Sequence, residues 1–323
     1  MLTEFKNSIE NFQKSNHKLF AFDVDGTLVD DYREPKVGVV AAFERFANSY
    51  PNMEMILLTG ASRGVALQAF EKINEKLTKK INPTIASFAG SIITRSDGVV
   101  LKRQNLTADA IQKIERLCAS LDGNSIVIYC AEHGNYYIGN ATNKVRTDII
   151  EYMVKEDRKK GDGSFNVQEA SFDIIRAFAI KNEIFTLEIV SVADAHTKVF
   201  DGLTTLCSGL DLKVSDGTTI QVSTGSKLSA INFIYGSLAK DAVYCGDGYN
   251  DEECMKLCEL SFSVGKKAKV LGFAKLGIKD FSSIADALET GKMSEVTRVS
   301  KLSELFILSK QLIHEALEKE SKK

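Results

Sequence analysis

Residues 22–30 read FDVDGTLVD, and the apolar run KLFA at 18–21 leads into them. A short strand thus ends in two carboxylates, Asp23 and Asp25, one residue apart, with Gly26 and Thr27 behind them. Like charges this close repel each other and raise the cost of folding unless something neutralises them. A bound cation is the direct remedy. Residues that share such an ion must then come from elsewhere in the chain.

Outward from this stretch, short apolar strands alternate with helical spacing. KLFAFDV (18–24) and MEMILLT (53–59) read as strands, and KVGVVAAFERFANSY (36–50) and SRGVALQAFEKINEKLTKK (62–80) as helices. Continuous apolar strands between amphipathic helices predict a parallel sheet covered on both faces. The rhythm changes after Pro83. From Ser87 to Ser191 strands come in pairs around turn residues: SIIT with GVVLK, SIVIYC with NYYIGN, FDIIRAFAI with FTLEIV. That pattern predicts an antiparallel sheet carrying helices at 107–121 and 144–160, with a glycine-rich loop at 161–164. From Thr224 the first rhythm returns: a helix over 226–239, the strand DAVYCGD (241–247), a helix over 250–260 and the strand LSFSVG (260–265). The tail, 300–323, reads as one amphipathic helix. The expected fold is therefore α/β, a doubly wound parallel-sheet core built from residues 1–86 and 192–323, with an inserted α+β cap domain over 87–191.

Length and composition agree with two soluble domains. The chain has 323 residues, 44% of them hydrophobic, enough for two cores. Its 41 basic and 43 acidic residues leave a net charge of −2, which argues against a nucleic-acid partner. Apolar runs such as MEMILL are too short to span a bilayer, and the first fifteen residues lack the apolar centre of a secretory signal. The six cysteines form no CxxC pair and no disulfide or zinc spacing, so they read as small buried hydrophobes. The expected location is a reducing cytoplasm. The sequence carries no signal for an oligomeric partner.

Four stretches carry chemistry together: DVDGT at 23–27, Thr59 in LLTGAS, Lys227 in STGSK, and GDGYND with Asp247, Asn250 and Asp251. In an open parallel sheet the carboxyl ends of the strands line one crevice, so residues two hundred positions apart can converge there. These residue types suit a phosphoryl group held on Mg2+. Asp23 and Asp247 supply hard oxygen ligands, and the backbone carbonyl of Asp25 can add a third. Asp23 can attack phosphorus as a nucleophile. Asp25 can protonate the departing alkoxide and then activate water. Thr59 and Lys227 can hold the phosphoryl oxygens as charge builds, and Gly26 lets the backbone turn close to the anion.

DVDGT, the threonine of LLTG, the lysine of GSK and GDGYND occur in the order found in the haloacid dehalogenase superfamily, and the chain from about residue 18 to 290 resembles its Cof-type phosphatases with a large cap. The resemblance implies a small phosphorylated metabolite as substrate, such as a sugar phosphate, a Mg2+ cofactor and an aspartyl-phosphate on Asp23. It assigns phosphate binding to Thr59, Gly60, Lys227 and Asn250, metal binding to Asp23, Asp25 and Asp247, and support of the metal's surroundings to Asp251. Two features depart from the family pattern: Ala61 and Ser62 follow Thr-Gly, with the arginine displaced to Arg63, and AGS (89–91) replaces Asn-Gly-Ala at the cap entrance.

Other readings of the same residues stand beside these. A lone Asp-x-Asp before glycine is usually a solvated turn, and Asp251 could simply cap a helix. His133 reads as a solvated hairpin residue, His196 as an ordinary helix residue, and Arg176 and Lys181 as the basic residues common near strand ends, with the grip of an anionic substrate as their alternative role. The alternative function is a phosphosugar mutase like the phosphomannomutases, which share this cap type and first motif. A binding module without catalysis would lack a motif residue, and none is missing.

Overall fold

Leu19–Asp23 is buried along its whole length, as a strand covered on both faces must be. The computed structural model describes residues 2–120, 125–132, 134–138, 167–191, 193–216, 219–264, 274, 276–278, 280–291 and 297–298. His133, the helix expected at 144–160, the loop at 161–164 and the tail helix at 300–323 lie outside these residues. The strands in chain order are β1 Leu19–Asp23, β2 Glu54–Leu58, β3 Thr84–Ser87, β4 Ile92–Thr94, β5 Val100–Arg103, β6 Ser125–Ala131, β7 Gly134–Ile138, β8 Val167–Ala170, β9 Ile184–Ser191, β10 Lys213–Ser215, β11 Ile220–Ser223, β12 Val243–Gly246, β13 Leu260–Val264, β14 Leu276–Ile278 and β15 Thr297–Arg298.

Two sheets result. The larger runs β15-β14-β13-β12-β1-β2-β3-β4-β5, parallel from β14 to β3 and antiparallel at its two margins. Successive residues of β1 serve opposite faces. Phe20 and Phe22 join the core under the helices Leu2–Lys14, Val39–Ser49, Arg63–Asn74 and Ser282–Thr290. Leu19 and Ala21 pack with Ala230, Ile231 and Tyr244 on the other face, under the helices Lys227–Tyr235 and Glu252–Leu257. The amphipathic N-terminal helix seals the first core, with Phe5 edge-on to Phe262 at 6.0 Å and Phe12 edge-on to Phe20 at 5.6 Å. All six cysteines are buried and free, as expected of small hydrophobes.

The smaller sheet runs β10-β11-β9-β6-β7-β8, antiparallel except between β7 and β8. Its core packs Leu187, Ile189 and Tyr129 against the helices Ala108–Ala119 and Ala193–Ser208. The strands divide differently from the expected limits of 87 and 191. The hairpin β4–β5, read as the start of the insertion, extends the large sheet through β3. The hairpin β10–β11, read as core, pairs with β9 in the small sheet. The reason is edge pairing: β3 and β9 each need a second neighbour for their backbone groups, and the adjacent hairpin supplies it. The crossings between sheets therefore lie near Gln104 and Thr224, which touch: Thr224 Oγ1 donates to the Gln104 carbonyl at 3.2 Å.

A second correction concerns FDIIRAFAI. Its apolar run predicts a strand, but Phe172–Ile180 is a helix. Ser171 caps it by accepting from the Ile174 amide, Asp173 sits in the first turn, and Ile175 and Ala179, four apart, face the core. The run is apolar apart from Asp173 and Arg176, too short for period alone to separate strand from helix, and the Ser-x-Asp start favours the helix.

Candidate active site

Three adjacent strands build the site. β1 lies between β12 and β2, with Asp23 level with Leu58 and Phe22 level with Cys245. Asp23 ends β1, Thr59 follows β2, and Asp247 follows β12, so all three emerge at the same carboxyl-terminal edge. The chain runs away from β1 on one side through β2 and returns on the other through β12, which leaves a crevice at this switch point.

Lys227 comes to the crevice from a helix rather than a strand end. It opens the helix Lys227–Tyr235, whose start is fixed by Ser226 and Ser229 in a reciprocal capping pair. Its ammonium is buried and lies 2.5 Å from Asp23 Oδ1 and 2.6 Å from Asp251 Oδ1. Thr27 Oγ1 donates to the other Asp23 oxygen at 2.9 Å.

Asp251 is fully buried. Besides Lys227, its Oδ1 accepts from the Tyr244 hydroxyl, and its Oδ2 accepts from the backbone amides of Asp247 and Gly248 at 3.0 and 2.8 Å. Four donors thus occupy one carboxylate. Asp251 both caps its turn and joins the site, because the turn it caps is the one that carries Asp247. Gly246 permits this: a Cβ there would stand 2.4 Å from Asp251 Cγ.

Electrostatics follow from this burial. Desolvation pushes the Asp23 carboxyl well above the usual carboxylate range; Lys227 opposes the shift, and Asp251 and Asp247 add to it. Burial works against the Lys227 ammonium, but Asp23 and Asp251 outweigh it and hold that group above its ordinary value. The lysine therefore stays charged, and the acids around it still outnumber it. One oxygen each from Asp23, Asp247 and Asp251 lies within 4.8 Å of the others, a spacing that could hold a metal ion.

Asp25 faces the other way. Its carboxylate is 40% exposed, with Thr59 Oγ1 donating to it at 3.4 Å and the buried Arg33 Nε 3.7 Å away. It stands outside the cluster of acid oxygens, toward solvent. Thr59 Oγ1 also accepts from the Ala61 amide at 3.0 Å, which sets the hydroxyl at the mouth of the crevice. Gly26 has φ +79° and an ideal Cβ would fall 2.5 Å from Asp247 Oδ2, so no other residue fits between the first motif and the last. Gly26→Ala should destabilise the protein by about 1–3 kcal/mol through left-handed strain and this clash. An unchanged denaturant midpoint would show that the contact is not close in solution.

Between the two sheets beside Lys227 lies a cleft of about 330 Å³. The large-sheet side contributes Tyr249 and Asn250, and the small-sheet side Phe200, Lys213 and Gln221. Gln221 Nε2 also donates to the Gly60 carbonyl at 3.3 Å, tying the small sheet to the loop after Thr59. Of the other residues singled out in the sequence, Arg176 borders a separate pocket of about 220 Å³ with Glu115, away from the crevice, and Lys181 ends the same helix, exposed. His196 is more than a helix residue: its Nε2 is 2.8 Å from Asp216 Oδ1 and its Nδ1 3.2 Å from Ser191 Oγ. Sequence reading misses Arg33 and Tyr244 and names Thr27 without its bond to Asp23. Only Thr27 carries a signal, as the hydroxyl of the first motif.

Among the described residues no helix is long and apolar enough to cross a membrane. No curated protein matches the sequence. Solved structures share the fold at low identity. A haloacid dehalogenase-like hydrolase from B. subtilis aligns over 84% of this chain and 99% of its own, at 14% identity and a TM-score of 0.63. A Bacteroides thetaiotaomicron protein, described among phosphatases of the haloalkanoate enzyme superfamily, aligns over 84% and 94%, at 18% identity and a TM-score of 0.65. A subclass IIB sugar phosphatase of that superfamily aligns over 84% and 98%, at 15% identity and a TM-score of 0.60. The sequence model of one family, the haloacid dehalogenase-like hydrolases, matches residues 20–277 and so takes in all four motifs. With most of its length matched, this chain belongs to the haloacid dehalogenase-like hydrolases.

Proposed function

We infer that the chain is a Mg2+-dependent phosphatase that hydrolyses a small phosphate monoester, such as a sugar phosphate, through an aspartyl-phosphate. The observation that carries this reading is the meeting of Asp23, Asp247, Asp251 and Lys227 in one buried cluster at the edge of three adjacent strands. Hard oxygen donors at this spacing suit Mg2+, with Asp23 and Asp247 as direct ligands, because the Asp251 oxygens already accept four hydrogen bonds. When bound, Mg2+ supplies the positive charge that lets a carboxylate approach a phosphate dianion.

An Asp23 oxygen attacks phosphorus and forms the P–O bond as the ester P–O bond breaks. Asp25, exposed on the leaving-group side, gives its proton to the departing alkoxide. It then takes a proton from the water that attacks the aspartyl-phosphate, which releases inorganic phosphate and restores Asp23. The Thr59 hydroxyl and the Lys227 ammonium stabilise the phosphoryl oxygens in both steps, with Gly60 and Asn250 beside them. Arg33 next to Asp25 holds that carboxyl in place. The cleft is small on the scale of ligand sites, which fits a metabolite rather than a folded phosphoprotein. The sugar phosphatase among the structural neighbours agrees with this substrate class.

The test is phosphate release by purified protein from hexose, triose and aryl phosphates and from a phosphopeptide. Release from the small esters should need Mg2+ and stop in chelator, with little from the peptide. Full activity in chelator, or no phosphate from any ester, would remove the reading. A phosphosugar mutase would instead return isomerised ester and depend on a bisphosphate activator.

A further inference from the structure

The cleft beside Lys227 has a charge balance that phosphoryl transfer does not require. Apart from Lys227, which is committed to Asp23 and Asp251, the only basic residue lining it among the described residues is Lys213; its acids are Asp216, Glu252 and Glu253. These acids stand on both walls. Glu252 and Glu253 open the helix that follows the Asp247 turn, and Asp216 follows β10 in the small sheet. Asp216 is held by His196 Nε2 at 2.8 Å, and Glu252 is shared with Lys256 one turn along. Among the described residues, with Lys256 counted and Lys227 set aside, three carboxylates face two lysines. The other polar walls, Gln221, Tyr249 and Asn250, are neutral and suit hydroxyl groups.

A second phosphate on the substrate would bring between one and two further negative charges, and such groups are bound by several charge-assisted donors. Among the described residues this cleft offers one lysine besides Lys227 to three carboxylates. An ammonium group meets the opposite situation. Resting on the phosphatase reading above, we propose that the cleft selects monoesters whose leaving group carries no anionic group of its own, and favours one that carries an ammonium. Amino-sugar phosphates then rank above neutral sugar phosphates, and both rank above sugar bisphosphates and phosphorylated hydroxy acids. The acids at the mouth are partly exposed and screened, so each contributes a few-fold and the full span is about tenfold.

The experiment compares kcat/KM for glucosamine 6-phosphate, glucose 6-phosphate, fructose 1,6-bisphosphate and 6-phosphogluconate with saturating Mg2+, in low salt and in about 1 M salt, where the Debye length is near 3 Å. The expected order is the order given, with the span compressed in high salt. Glu253→Gln and Asp216→Asn should each narrow the gap by raising kcat/KM on the bisphosphate. Equal or faster turnover of the bisphosphate or the phosphogluconate overturns the proposal, as does a ranking that neither salt nor either substitution moves. If an aryl phosphate is cleaved but none of the four esters is, the proposal fails and the phosphatase reading stands. If the aryl phosphate is not cleaved either, both fall.

Discussion

Asp23→Asn protein should fold and lose about 10³-fold or more of its phosphatase activity, because in the proposed mechanism the change removes the attacking oxygen and a metal ligand together. Retention of more than about 1% of activity, a loss below roughly 3 kcal/mol, would mean that another group attacks phosphorus. Stability should not fall with activity. Without metal, Asp23 is one of three buried carboxylates served by one lysine, and burial raises its protonation range. Between the unfolded carboxylate value, about 4, and that raised folded value, the native state keeps a proton that the unfolded chain has lost, so stability falls as pH rises through this window. Asparagine removes that term. In chelator at neutral pH the variant should melt no lower than the parent, and a lower melting temperature would contradict the account of the charge cluster.

Lys227→Met is expected to have the larger effect on folding. The ammonium is the buried cation paired with both Asp23 and Asp251, and removing one partner of such a network leaves its charges uncompensated. The loss should be about 3–5 kcal/mol in chelator, read from denaturant unfolding. Added Mg2+ should recover part of it, since under the proposed metal site a cation held by Asp23 and Asp247 would replace some of the missing charge. Activity should stay low even in Mg2+, because a phosphoryl oxygen loses its partner. If Lys227→Met unfolds at the parental midpoint in chelator, the pairing of Lys227 with the two acids does not persist in solution. Lys227→Arg separates charge from shape: it should recover more stability than activity, since a planar fork cannot occupy the place of a compact ammonium.

Much of the site is legible in the chain's own residues. DVDGT, Thr59, Lys227 and GDGYND stand out because each lies at an end of a strand or helix, and such ends face one crevice in a doubly wound sheet. What the residues do for one another is not legible in the same way. Asp251 reads as a helix-end acid and is the acceptor for Lys227, Tyr244 and two amides of its own turn. Tyr244 lies in the middle of a strand, where period 2 says only which face it serves. Arg33 belongs to a loop whose left-handed backbone, φ 57°, returns it to Asp25.

The sequence by itself determined the α/β core, the existence of an inserted unit and the convergence of the four motifs, because each rests on local periodicity and on the direction of parallel strands. Only the tertiary structure decided where the insertion begins and ends. A hairpin carries no mark of the sheet it will join; β4–β5 and β10–β11 were assigned by which neighbouring strand had an unpaired edge. For Phe172–Ile180 the Ser171-x-Asp173 start is a local helix signal, and packing through Ile175 and Ala179 completes what that start begins. Tertiary structure also decided the cleft, whose carboxylates come from a helix on the large sheet and from the end of β10 in the small one, joined where the chain crosses at Gln104 and Thr224.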